Sequence, residues 1–303
     1  MTLRLALLSS LLVGCQNAPP PAKEFDGQAA LAYARTQVDF GPRVPGTTGH
    51  QQMAQWLDSL LRTRSDTVVV QRWSHQTEDG DSLPMVNFIA RFNPSATQRL
   101  LFVAHWDTRP RADADTGAKV DQPIAGANDG ASGVAVLIGM ADALQKTPPT
   151  IGVDLLFVDG EDYGSFEGDQ ADVLIGAKYY AAHQLPGPKP TFAVLLDMVG
   201  GRATQFQKEG YSVVAAPDAV DLVWTTAERL GYGNVFLPEN GGSVTDDHIP
   251  LQKAGIRAID IIPDIPNGYP PWHTQADTID KLSADALKAV GDVMLAVVRL
   301  QGR

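Results

Sequence analysis

Cysteine is almost missing from this chain: its 303 residues include one, Cys15. A lone thiol excludes an internal disulfide. Cations are scarce as well. Twenty-four Lys and Arg face 35 Asp and Glu, for a formal net charge of -11. Such a surface is unsuited to nucleic acid, whose phosphates require a basic face. The apolar run at residues 5–13 is too short to span a bilayer. No internal repeat and no shift in composition divides the chain, so one domain is expected. Ser132 and Ser165 have no obvious paired base, so no serine nucleophile is assigned.

Against these absences, 44% of residues are hydrophobic and 19% charged. That is the balance of a globular protein able to build a sizeable core. The N-terminus has the features of an export signal: a charge at Arg4, the apolar run, then Leu12-Val13-Gly14-Cys15. These four residues resemble a bacterial lipobox. The expected organisation is a signal peptide at residues 1–14 and a lipidated Cys15 with a Pro- and Ala-rich tether through residue 25. A catalytic domain follows at 26–303. The protein is then expected at the bacterial cell envelope, attached to a membrane through its lipid. Gln16 resembles the residue that follows the cysteine in outer-membrane lipoproteins.

Hydrophobic periodicity lays out the rest. Asp26 is positioned to cap a helix running to about residue 38. Met53, Trp56, Leu57, Leu60 and Leu61 make one face of a second helix. Residues 67–75 and 85–92 read as strands around the turn Glu78-Asp79-Gly80-Asp81. Short apolar strands are then expected at 100–104, 153–158, 192–196 and 256–262. Helices are expected at 133–144, 175–183, 218–230 (capped by Asp218), and from Ser283 to about 300. Apolar strands alternating with helices predict an α/β protein in three layers, α/β/α, around a mixed, mainly parallel central sheet.

In such sheets ligands sit beyond the carboxyl ends of the strands. His105 and Asp107 follow the first of these apolar strands. Asp159, Glu161 and Asp162 follow the second, and Asp197 the third. His273 follows the fourth across a Pro-rich loop, and Asp129 precedes the helix at 133. Charged groups rarely cluster without partners or a metal, and a mixture of His and carboxylates suits zinc. The adjacent Glu161 and Asp162 suggest divided labour, one binding metal and one moving protons. Asp107, two residues after His105, is placed to fix that imidazole's tautomer. The acidic loop at 111–121 reads as a solvated rim, and His50, His75 and His183 as surface residues.

These same segments carry a family likeness. His105-Trp106-Asp107, Asn128-Asp129-Gly130-Ala131-Ser132-Gly133, Asp159-Gly160-Glu161-Asp162, Leu196-Asp197-Met198 and Trp272-His273-Thr274 occur in the order that resembles the zinc aminopeptidase superfamily, peptidase family M28. Within it, four segments resemble the glutaminyl-peptide cyclotransferases. They are Gly41-Pro42-Arg43-Val44-Pro45-Gly46, the run from Ala104 to Pro110, Thr245-Asp246-Asp247-His248-Ile249-Pro250-Leu251, and Trp272 before His273.

The resemblance implies one catalytic zinc held by Asp129, Asp162 and His273, with Glu161 as general acid and base. It also implies an acidic network of Asp246 and Asp197, and a pocket wall that includes Trp272. The substrate implied is a peptide or protein with N-terminal glutamine, converted to pyroglutamate with release of ammonia. Asp162 and Thr245 depart from the animal enzymes, which often carry Glu and Gln at these positions. A two-zinc aminopeptidase is the alternative: His105 and Asp197 would bind a second ion, with Asp129 bridging. His248 is expected near the Asp pair.

Overall fold

The computed structural model describes residues 22–168 and 170–303; the expected leader, Cys15 and most of the tether lie outside the described residues. In chain order the elements begin with helices α1 (Gly27–Asp39) and α2 (Thr48–Arg62), and strands β1 (Thr67–Gln76), β2 (Ser82–Phe92) and β3 (Arg99–His105). Then come α3 (Ala131–Lys146), β4 (Gly152–Val158), α4 (Ile175–Ala182), β5 (Ala193–Leu196) and β6 (Phe206–Lys208). The chain ends with α5 (Gly210–Ala215), α6 (Pro217–Arg229), β7 (Phe236–Asn240), α7 (His248–Lys253), β8 (Ala258–Ile261) and α8 (Ala284–Gln301).

Local chemistry explains most of the boundaries. Asp26 starts α1 by accepting hydrogen bonds from the N–H groups of Gln28 and Ala29, each at 3.0 Å. Thr47 and Ser283 cap α2 and α8 in the same way. Asp218 does not cap α6 as expected. Pro217 takes the first helical position, where its missing N–H costs nothing, and Asp218 falls inside the first turn. There its charge still favours the positive end of the helix dipole.

Strands β1, β2, β4, β3, β5 and β8 form one sheet in that order. β1 and β2 make an antiparallel hairpin, and β2 also runs antiparallel to β4. The pairs β4–β3, β3–β5 and β5–β8 are parallel. Every residue of β3, β4, β5 and β8 is buried, as strands covered on both faces must be.

Side chains alternate between two cores. Phe102, Leu155, Val194 and Ile259 pack with α3, α6 and α8 on one face. Leu101, Leu156, Leu195 and Ala258 pack with Ala177 of α4 and Leu251 of α7 on the other. The expected α/β/α layering is what forms. Phe25 pins the N-terminal side of α1 by seating its ring between Gly139 of α3 and Gly291 of α8, where any Cβ would strike it.

Candidate active site

The parallel strands deliver their polar residues to one edge. β3 ends in His105 and runs into Asp107; β4 leads to Glu161 and Asp162; β5 leads to Asp197. Asp129 comes from the loop entering α3, Asp246 from the segment before α7, and His273 from the loop after β8. Asp129, Glu161, Asp162, Asp197, Asp246 and His273 are each less than a tenth exposed, and all line one cavity of about 750 Å³. His105 and Asp107 lie beneath it, fully covered. Trp272 forms part of the wall, its ring stacked 3.8 Å from that of His273.

Close backbone approach builds the floor. At Gly130 a Cβ would fall 2.6 Å from His105 Nε2 and into the His105 carbonyl, so only glycine lets the Asp129 turn meet β3. Met198 and His273 hold left-handed φ angles of 50° and 53°. For residues with a Cβ that conformation is strained, and such strain gathers at functional sites.

Two groups of ligand atoms stand ready for cations. Asp129, Asp162 and His273 offer atoms within 4.8 Å of one another, and so do His105, Asp129 and Asp197. In the first group Asp162 Oδ2 is buried without a hydrogen-bond partner. A carboxylate with one orphaned oxygen, an imidazole nitrogen 3.4 Å from its other oxygen, and a second carboxylate fit zinc, which favours such N and O donors. In the second group His105 Nε2 already lies 3.1 Å from Asp129 Oδ1 and 3.2 Å from Asp197 Oδ1.

The electrostatics divide the acids. Burial pushes the Glu161 carboxyl well above its usual range; His105 opposes this, while Asp162, Asp246 and Asp247 add to it. Burial and the Asp197 carboxylate push Asp246 up to about 8. Asp162 goes the other way. Burial would raise it, but His273 and Arg109 hold it below the ordinary carboxylate range. Burial works against a charged His105, yet Glu161, Asp107, Asp129 and Asp197 raise its proton affinity well above normal. An acid that keeps its proton beside one that gives it up is a common basis for acid and base roles.

Several supports were not evident from the sequence. Asp107 accepts the N–H groups of both Glu161 and Asp162 at 3.1 Å, and its Oδ1 lies 3.5 Å from His105 Nδ1. It therefore clamps the turn carrying the two acids, besides facing the imidazole. Asp113, in the loop read as a solvated rim, receives two hydrogen bonds from Arg109 at 2.9 and 2.5 Å. Its Oδ1 also lies 3.2 Å from His273 Nδ1. A proton on Nδ1 leaves Nε2 free to face Asp129 and Asp162.

Asp277 accepts the N–H groups of Asn128 and Asp129 and the Tyr269 hydroxyl. No spacing rule singled out Asp113 or Asp277. His50 is a correction: it is buried, with Nε2 3.0 Å from Asp159. Asp159 thereby turns from the cavity and ties α2 to the sheet, also accepting Val86 N–H.

The site can be compared with known proteins. The profile of peptidase family M28 matches residues 87–298. The structure of Bacteroides thetaiotaomicron glutaminyl cyclase bound to N-acetylhistamine superimposes with a TM-score of 0.88 at 40% identity, over 91% of this chain and 98% of that one. Porphyromonas gingivalis glutaminyl cyclase gives 0.88 at 40% identity, over 92% of this chain and all of that one. Aminopeptidase YwaD of Bacillus subtilis is 30% identical over 91% of this chain, which spans 57% of that longer protein. The profile match, the shared architecture and the acid-lined cavity at the strand ends agree, and the chain belongs to peptidase family M28.

Proposed function

We propose that the protein is a zinc-dependent glutaminyl-peptide cyclotransferase. It would convert the N-terminal glutamine of peptides or proteins to pyroglutamate with release of ammonia. The observation that carries the reading is Asp246: an acid buried beside Asp197 and in one cavity with Glu161 and Trp272, its proton affinity raised by burial and by the Asp197 carboxylate. A proton-holding acid cluster suits a reaction that moves protons from one nitrogen to another. The two glutaminyl cyclases at 40% identity support the same reading.

Asp129, Asp162 and His273 would hold one zinc. Bound there, the ion supplies Lewis-acid polarisation of the γ-carboxamide carbonyl. The chain's own residues do the rest. The substrate's neutral α-amine attacks the carboxamide carbon; a ring C–N bond forms and the bond to the amide nitrogen breaks. Glu161 takes the proton from the attacking amine and returns it to the leaving nitrogen, which departs as ammonia. Asp246 and Asp197 keep that proton within the cluster, since close carboxylates resist joint ionisation. Trp272 walls the cavity and holds the chain in its ring-closing posture.

One observation favours a second reading, a two-zinc aminopeptidase: His105, Asp129 and Asp197 also converge. Metal stoichiometry separates the two readings, because a single bound zinc leaves the His105, Asp129 and Asp197 group without an ion of its own. A Gln-initiated peptide that loses ammonia supports the cyclase; one that loses its first residue supports the peptidase. We also propose, on the sequence of residues 1–25 alone, export to the cell envelope and lipid anchoring at Cys15. Labelling with a fatty acid, abolished by Cys15→Ser, tests it.

A further inference from the structure

Behind Asp246 lies a second buried ionisable cluster that the reaction does not touch. Glu209 starts α5 by accepting the N–H groups of Tyr211 and Ser212 at 2.9 and 2.6 Å and the Ser212 hydroxyl at 2.6 Å. The same carboxylate accepts the N–H of Val244 at 3.0 Å. His248, wholly buried, sits between two acids. Its Nε2 lies 3.5 Å from Glu209 Oε2 and its Nδ1 3.6 Å from Asp260 Oδ2. Neither imidazole nitrogen and neither Asp260 carboxyl oxygen has a hydrogen-bond partner. Ser212 closes the group, its hydroxyl oxygen accepting the Asp260 N–H at 2.9 Å.

Stability is a poor reason for this arrangement. Buried ionic groups cost several kcal/mol to desolvate, and apolar replacements of similar volume often do as well or better. The cluster's contacts suggest another reason. Val244 precedes Thr245 and Asp246, which line the cavity, and His248 follows Asp246 by two residues. Glu209 therefore holds the segment before Asp246 through the Val244 N–H, and the buried His248 ring, 3.5 Å from the same carboxylate, packs against it on the other side of that acid.

We propose that Glu209 and His248 are positioning residues that fix the 244–248 segment and so set where Asp246 stands beside Asp197 and Glu161. The inference rests on the cyclase reading for its assay. The two acids facing His248 are unequal. Burial would raise Glu209, but His248, Ser212 and the Tyr211 N–H bring it down to about 2. Burial, with Asp246, Asp197, Glu209 and Asp247, pushes Asp260 well above the carboxylate range. Glu209 is thus the more acidic of the two carboxyls that face His248.

The test uses the full zinc-loaded chain with a Gln-initiated peptide. Glu209→Gln and His248→Gln are expected to keep bound zinc and a KM within about twofold of wild type while kcat falls at least about tenfold. Small displacements of reacting groups cost this much or more. Asp260→Asn should keep kcat within about threefold. Wild-type kcat in both Glu209→Gln and His248→Gln would overturn the proposal. So would a loss of kcat that comes only with loss of zinc, the mark of a merely structural role. If His248→Gln does not fold, Ser212→Ala, which removes one donor to Glu209 and no charge, should still lower kcat at unchanged KM; unchanged kcat there counts against the proposal. The cyclase reading fails on wild type alone, whereas the positioning inference fails on the comparison of variants.

Discussion

Arg109 Nη1 lies 2.5 Å from Asp162 Oδ1, while the other oxygen of that carboxylate is buried without a partner. The guanidinium thus fixes one half of Asp162, whose Oδ1 also lies 3.4 Å from His273 Nε2, and leaves Oδ2 without a hydrogen-bond partner. Arg109 also reaches Asp113, which faces His273 Nδ1, so one arginine orients two expected zinc ligands. Outer partners of metal ligands are typically worth about 10–100-fold in affinity or activity. Arg109→Ala should weaken zinc binding by that factor in a chelator competition. Unchanged affinity would mean that the ligands orient themselves.

Glu161 lines the cavity beside the expected zinc ligands, and burial with its acidic neighbours raises its proton affinity. Glu161→Gln preserves its shape and removes that capacity. Zinc content should stay at the wild-type level while kcat falls about 10²–10⁴-fold, the usual worth of general acid–base help. Metal analysis and steady-state turnover of a Gln-initiated peptide check both halves of this expectation.

Trp272 covers the cavity with its ring stacked on His273. Aromatic contacts of this kind are worth about 0.5–1.5 kcal/mol beyond the area they bury. Trp272→Ala should lower kcat/KM by about tenfold without releasing zinc. An equal loss of zinc would assign the tryptophan to holding His273 rather than substrate.

Glu209 gives a pH dependence of stability with a definite sign. Its carboxyl titrates at about 2 in the fold against an ordinary 4.5. A carboxyl depressed by folding stabilises the native state wherever it is ionised. That contribution is complete above about pH 4.5 and is lost as pH falls toward 2. The difference in unfolding free energy between wild type and Glu209→Gln should therefore shrink steadily between these limits in urea titrations. A gap independent of pH would show that the charge of Glu209 contributes nothing.

The layers and the site edge were legible because they rest on strong local signals. Short apolar runs such as residues 192–196 read as strands covered on both sides, and the residues after them fall at the ligand-binding edge. The region from residue 200 to 255 was harder. β6, α5 and α7 are three to six residues long, too short to show a period, and α5 depends on the tertiary placement of Glu209. Asp113 and Asp277 act through chain segments distant in sequence, so no spacing betrays them. His50 sits on the polar-looking first turn of α2, and only the fold brings Asp159 against it.

The central claim is that this cavity closes a ring rather than cutting a peptide bond. Incubation of the zinc-loaded protein with a Gln-initiated peptide, followed by mass spectrometry, tests it directly. The expected product is the whole peptide less one ammonia. A product shortened by its first residue would contradict the account.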